Sequence, residues 1–159
     1  MWEWAAQKPE PRATILYDTM WNASQKMAEA IGDGLADEGV DYKIIHAAST
    51  DRNDALVEVF KSRTIAIGSP TLNYGVLPTI APLLEDLRGL KFKNKIGAAF
   101  GSYGWSGESV KMIEQHLEKC KIPVIRNGIK LKWQPSSQDL EECLSFGREL
   151  GVETKKPIE

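Results

Sequence analysis

The chain has 159 residues, 42% of them apolar and 26% charged, with twenty basic against twenty-two acidic side chains and a formal net charge of −2. That length is one domain able to bury a core of its own, and the composition is globular rather than disordered. So balanced a charge excludes a nucleic-acid binder working by phosphate neutralisation, no apolar stretch reaches the ~18 residues of a membrane span, and two histidines leave little for a histidine-rich metal centre.

Residues 1–12 read as a linker, because Pro9 and Pro11 bracket Glu10 and proline blocks regular structure there. Met1-Trp2-Glu3-Trp4 has neither the basic region nor the apolar core of a secretory signal. Residues 13–17 form a β-prone run. Residues 24–38 follow at helical spacing, with Met27, Ile31 and Leu35 four apart and Ala30 on the same face; Gly39 stops that helix. A second strand covers 40–45, and 51–61 is helical with Leu56, Val59 and Phe60 apolar. The run 64–67, ended by Gly68, has the unbroken apolarity of a strand covered on both faces. Ile80, Leu83, Leu84 and Leu87 predict a helix over 76–88, residues 95–100 a fourth strand, and Val110, Ile113 and Leu117 a helix over 108–119. Residues 122–125 and 129–133 make a fifth strand interrupted at Asn127-Gly128. Ser136 or Ser137 then caps a last helix carrying Leu140, Cys143, Leu144 and Leu150. The domain is therefore set at 13–152, with 153–159 as a tail. Cys120 and Cys143 are too few and too far apart for a disulfide framework or a CxxC motif, and read as buried thiols of a reducing cytoplasm.

Five strand–helix alternations mean parallel βαβ units with helices on both faces. Five strands predict an α/β, flavodoxin-like three-layer sandwich whose parallel sheet has the order 2-1-3-4-5. Ligands of such sheets bind outside the carboxyl ends of the strands, which directs attention to the loops after strands 1, 3 and 4.

The first loop, Asp18-Thr19-Met20-Trp21-Asn22-Ala23-Ser24, brings hydroxyls, an amide and backbone N–H groups to a helix N-terminus, a setting that favours an anion. It lacks the GxxxxGK[ST] pattern of a nucleoside-triphosphate loop. The alternative is an ordinary capped turn, with Asn22 or Ser24 as N-cap. The second and third loops, Ser69-Pro70-Thr71-Leu72-Asn73-Tyr74-Gly75 and Gly101-Ser102-Tyr103-Gly104-Trp105-Ser106-Gly107, carry no charge. Tyr74, Tyr103 and Trp105 can flank a flat apolar ring, unless they fold back onto the core, and the glycines let the backbone approach its edges. An anion loop beside two neutral aromatic loops fits a planar heterocycle with a phosphate tail, flavin mononucleotide (FMN).

Other uses of the fold lack their residues. The first loop has no nucleophilic Cys for phosphatase chemistry, and strand 3 ends in Gly68 rather than in the Asp of a receiver domain. His46 reads as a surface residue away from the ligand edge, and His116 as a solvated helix residue. Glu108 reads as a favourable charge at a helix N-terminus. Lys91, Lys93 and Lys95 form the one local basic cluster, a candidate contact for an acidic protein.

Tyr17-Asp18-Thr19-Met20-Trp21-Asn22-Ala23-Ser24, Gly68-Ser69-Pro70-Thr71-Leu72-Asn73 and Phe100-Gly101-Ser102-Tyr103-Gly104-Trp105-Ser106-Gly107 resemble the flavodoxin-like domain of flavodiiron proteins (A-type flavoproteins), over Thr14 to Leu150. The resemblance implies that Thr19, Met20, Trp21, Asn22, Ala23 and Ser24 bind the FMN phosphate, with Ser24 where Thr is commoner. It assigns Pro70, Thr71, Leu72, Asn73, Tyr74 and Gly75, with Ser102, Tyr103, Gly104, Trp105, Ser106 and Gly107, to the isoalloxazine ring. The implied function is an FMN-binding electron-transfer domain. It relays electrons from a rubredoxin or a flavin- or NADH-linked reductase to the diiron centre of an O2 or NO reductase, in a head-to-tail homodimer. Complete members carry a metallo-β-lactamase-like diiron domain; this chain has no H-x-E-x-D-H cluster, so the expectation is one domain of a longer cytoplasmic protein. No catalytic or metal-ligating residue and no nucleic-acid or membrane partner is expected of it.

Two other readings use the same loops. One is a stand-alone flavodoxin-type electron carrier or an FMN-dependent quinone or flavin reductase, for whose second substrate no insertion shows. The other is a flavin-free module with Tyr103 and Trp105 as interface anchors. If flavin is bound, charge-free loops repel the reduced, anionic ring less than acidic loops do, which makes its second reduction step less negative.

Overall fold

Strand and helix alternate throughout the computed structural model, which describes residues 9–19, 22–71, 78–103 and 108–156. The elements are β1 (Glu10–Tyr17), α1 (Ala23–Asp37), β2 (Asp41–His46), α2 (Arg52–Lys61), β3 (Ser62–Gly68), α3 (Ala81–Leu90), β4 (Ile96–Tyr103), α4 (Glu108–Lys119), β5 (Ile129–Lys132) and α5 (Ser137–Lys155). The strands pair in parallel in the order β2-β1-β3-β4-β5, as the alternation predicted. Among the described residues, no helix is long and apolar enough to cross a membrane.

Element bounds differ from the sequence reading where local signals misled. β1 begins at Glu10, inside the stretch marked as linker. Pro11 falls in a register irregularity between Glu10 and Ala13 in the pairing with β3, where its missing N–H interrupts no regular ladder. α3 begins only after a turn at 78–80, with Pro82 in its first turn; residues 76 and 77 lie outside the described residues. The piece 122–125 makes a single bridge, Val124 beside Gly97, before β5 proper. α5 runs to Lys155, into the residues read as a tail. Its start is a capping box: Ser136 Oγ accepts from the Asp139 N–H (3.1 Å), and the Asp139 carboxylate accepts from the Ser136 N–H (2.8 Å). Such a cap contributes about 1 kcal/mol.

Side chains alternate across the sheet and divide the core in two. Ala13, Ile15, Tyr17, Ala66, Ala98 and Phe100 face Met27, Ile31 and Leu35 of α1 and Cys143, Phe146 and Leu150 of α5. Leu16, Ile65, Ile67 and Ala99 face α2, α3 and α4, through Val59, Leu84, Leu87, Ile113 and Leu117. The α1–α5 contact is the most extensive between helices, and its closeness depends on glycine. A Cβ on Gly34 would stand 2.2 Å from the Leu144 carbonyl oxygen, and one on Gly147 would stand 2.1 Å from that of Ile31. Arg148 closes the rim, donating to Asp37 at 2.9 Å.

Lys95 leaves the basic cluster in which the sequence placed it. Lys91 and Lys93 are exposed, but Lys95 is only 5% exposed. Its Nζ donates to the Phe60 and Ser62 carbonyls at 2.8 and 2.6 Å and lies 5.3 Å from the centroid of the Phe92 ring. Burial, reinforced by the nearby Arg63 charge, pushes its ammonium down to about 7. Lysine in an unfolded chain titrates near ~10.4. Between about 7 and 10 the unfolded chain therefore holds more protons at this site, and Lys95's contribution to stability rises with pH. Unfolding free energies of wild type and Lys95→Met, measured from about pH 7 to 9.5, are expected to shift in favour of the wild type across that window. A constant difference would show that Lys95 keeps the ordinary lysine pKa.

Candidate functional site

The carboxyl ends of β1, β3 and β4 converge, and hydrogen bonding continues past them into the loops. The Asp18 N–H donates to the Gly68 carbonyl (3.2 Å), Ser69 to Phe100 (3.2 Å), Thr71 to Ser102 (3.0 Å) and Trp133 to Tyr103 (2.8 Å). Three loop roots are thus fixed as extensions of the sheet. Gly101 is required here, since a Cβ would meet the Ser69 carbonyl oxygen at 2.2 Å. Ser109, in the first turn of α4, joins the second loop to the end of the third. Its Oγ donates to the Ser69 carbonyl (2.9 Å) and accepts from Thr71 Oγ1 (3.1 Å), and its N–H donates to Thr71 Oγ1 (3.2 Å). The sequence analysis missed Ser109; only its place two residues past a Gly-rich loop marked it.

At the first loop, Asn22 holds the N-cap position of α1 with φ 64° and no side-chain cap bond. Asn tolerates that left-handed backbone better than most residues. Ala23 and Ser24 are buried, and Ser24 Oγ has no hydrogen-bond partner. Neither residue named as a possible cap therefore caps through its side chain. A buried, unpaired hydroxyl costs about 1–3 kcal/mol. This one lies in the first turn of a 15-residue helix with no acid in that turn, where N–H groups are left unpaired and the helix dipole is positive. The donor set fits a phosphate.

Asp18 follows β1 and is 8% exposed. Its Oδ1 accepts from the Thr19 N–H at 2.7 Å and lies 2.9 Å from His46 Nε2. Its Oδ2 accepts from Thr79 Oγ1. The His46 ring stacks on Tyr17, with centroids 5.0 Å apart, and Ser49 Oγ lies 3.3 Å from its Nδ1. Burial alone would raise the Asp18 carboxyl. Hydrogen bonds from Thr79, the Thr19 N–H and His46, with the His46 charge when protonated, outweigh it and hold the carboxyl below the usual range. His46 is thus not away from the ligand edge, as its place at the end of strand 2 suggested. In a parallel sheet all carboxyl ends share one edge, and the register pairs Tyr17 with His46.

Of the remaining sequence candidates, Thr19, Pro70, Thr71, Ser102 and Tyr103 lie at this edge, with Pro70 and Ser102 buried and Tyr103 half-buried. Met20, Trp21, Leu72, Asn73, Tyr74, Gly75, Gly104, Trp105, Ser106 and Gly107 lie outside the described residues. Glu108 opens α4 and has a buried, unpartnered Oε2. His116 is half-buried, its Nε2 3.4 Å from Glu85 Oε1, rather than freely solvated. Cys120 and Cys143 are buried thiols, and burial pushes Cys143 up to about 12.

Known proteins share both sequence and shape. The profile of the family described as Flavodoxin matches residues 15–147. The nitric oxide reductase of Moorella thermoacetica is 43% identical over 150 residues, which are 94% of this chain and 38% of that protein. Rubredoxin oxygen:oxidoreductase from Desulfovibrio gigas superposes with a TM-score of 0.93 at 34% identity, over 96% of this chain and 38% of that one. The flavodiiron protein from Giardia intestinalis gives 0.90 at 30% identity, over 94% of this chain and 37% of its own. The chain therefore spans between a third and two-fifths of each of these relatives.

Proposed function

The chain belongs to the flavodoxin family, and on that footing we propose that it is the FMN-binding electron-transfer domain of a flavodiiron oxygen or nitric oxide reductase. FMN is the cofactor of the family. When bound, it would supply a centre able to exchange electrons singly or in pairs. The chain's own residues bind and orient it. Ser24 Oγ and the first N–H groups of α1 hold the phosphate, with Thr19 and Asn22 shaping the turn. Pro70, Thr71, Ser102 and Tyr103 flank the ring, and Ser109 keeps the two ring loops in register. The observation that carries this reading is the buried, unpaired Ser24 hydroxyl in the first turn of α1, at the edge where three strands end. The relatives' names support one choice of electron donor and acceptor. One is named a rubredoxin oxygen:oxidoreductase and another a nitric oxide reductase, which supports a rubredoxin as donor, with an NADH-linked reductase as the alternative. The acceptor is then a diiron centre on another domain, reached across a head-to-tail homodimer in the cytoplasm.

The protein incubated with excess FMN and desalted is expected to keep flavin absorption near about 375 and 450 nm, and to bleach when a reduced rubredoxin is added without oxygen. Colourless protein after desalting would sink the flavin reading. Retained colour without bleaching by rubredoxin or by an NADH-linked reductase would sink the relay.

A further inference from the structure

One carboxylate reaches both ends of the cofactor edge. Asp18 takes the first N–H of the phosphate loop, Thr19, on Oδ1 and the Thr79 hydroxyl on Oδ2. Thr79 stands in the turn at 78–80 that leads into α3. The start of the phosphate loop and the turn before α3 are therefore tied to a single side chain. That side chain is itself fixed. Its own N–H is bonded to Gly68 of β3, and His46 holds Oδ1 from β2. The clamp requires a proton on His46 Nε2, because the carboxylate facing it can only accept. With Nε2 protonated, a neutral ring donates to Asp18 and accepts from Ser49 at Nδ1; a protonated ring donates at both. Three groups, from the loop after β1, from the end of β2 and from the turn before α3, thus hold a nearly buried carboxylate.

Resting on the FMN reading, we propose that Asp18 is a positioning residue for the phosphate loop, clamped by His46 and Thr79, so that the first turn of α1 is preset for a phosphate before one arrives. The carboxylate itself touches no part of the cofactor in this role. Removing it takes the Oδ1 acceptor from the Thr19 N–H and loosens the turn that presents the first donors of α1. The loss therefore falls on the phosphate and spares the ring.

Titration of the full apo chain with FMN and with riboflavin, followed by quenching of flavin fluorescence, tests this. Asp18→Ala is expected to weaken FMN by about 10- to 100-fold, the range for losing one or two charge-assisted hydrogen bonds, and riboflavin by less than about threefold. Asp18→Asn keeps the Oδ1 acceptor, and its amide can donate to Thr79 Oγ1. It is expected to stay within about threefold of wild type for both ligands, a rescue that simple loss of fold stability does not give. Thr79→Val removes only the far tie and is expected to weaken FMN by about fivefold; it decides the matter if Asp18→Ala does not fold. Equal losses of FMN and riboflavin, or FMN affinity unchanged in both Asp18→Ala and Thr79→Val, overturn the proposal while leaving the FMN reading intact. Wild-type protein that binds neither ligand overturns the FMN reading, and this one with it.

Discussion

Gly147→Ala is expected to lower the unfolding free energy by about 2–4 kcal/mol, although alanine is the better helix former by about 1 kcal/mol. The two effects oppose each other, and contact geometry decides between them. An alanine Cβ here would lie 2.1 Å from the Ile31 carbonyl oxygen and 3.0 Å from Gly34 Cα. Both are backbone atoms of α1, so no change of rotamer can relieve the overlap. α1 and α5 must separate, and the side chains packed beside the crossing, Ile31, Leu35, Phe146 and Leu150, lose contact together. A total stability of about 5–15 kcal/mol leaves little margin for this, and Gly147→Val is expected not to fold. Gly89 in α3 supplies the control, since a Cβ there meets nothing within 4 Å. Gly89→Ala should stabilise by about 0.5–1 kcal/mol. Urea unfolding of the two alanine variants measures both. Stabilisation by Gly147→Ala as well would show that the helices do not cross backbone to backbone.

Ser24→Asp is expected to lower FMN affinity by about a thousandfold and to leave riboflavin affinity nearly unchanged. Ser24→Ala removes one donor to a charged acceptor, worth about 1.5–3 kcal/mol and so roughly 10- to 100-fold. Aspartate removes the same donor and also sets a carboxylate against a phosphate of like charge, in a buried turn where screening is weak. The unpaired N–H groups of the first turn and the helix dipole offset part of the cost of burying the carboxylate, and α1 has no acid there. Riboflavin lacks the phosphate and so serves as the internal reference. Parallel losses for both flavins would move the phosphate away from Ser24.

The layout of the sheet was legible because β1, β3 and β4 are short apolar runs stopped by glycine or a turn, and the helices between them repeat apolar residues three or four apart. Tyr17, Gly68 and the end of β4 could therefore be brought to one edge from the sequence alone. What escaped was pairwise. Asp18 and His46 stand 28 residues apart and meet only because the β1–β2 register puts Tyr17 opposite His46. A histidine at a strand end carries no mark of its partner. Gly34 and Gly147 look like poor helix residues until two helices are seen to touch there. Lys95 shares a local run with exposed lysines, and only the return of β4 beside the end of α2 buries it. Pro11 looked like a boundary because the irregularity that accommodates it belongs to the pairing of two strands, not to the local sequence.

The crossing of α1 with α5 also has a consequence for synthesis. β1, β2 and β3 are neighbours in the sheet and close in sequence, so they can pair early as the chain emerges. The partner of α1 comes much later: Asp37 and Arg148, joined at the rim, are 111 residues apart. Until residues 137–155 leave the ribosome, the side of α1 around Ile31 and Gly34 that meets α5 has nothing to cover it, and neither has the part of the sheet that Cys143, Phe146 and Leu150 pack against. A nascent chain stalled before α5 is thus a half-built sandwich with one greasy side open to water, the kind of intermediate that aggregates or recruits a chaperone. The helix farthest from the cofactor edge in sequence order is then the one that commits the whole domain to its fold.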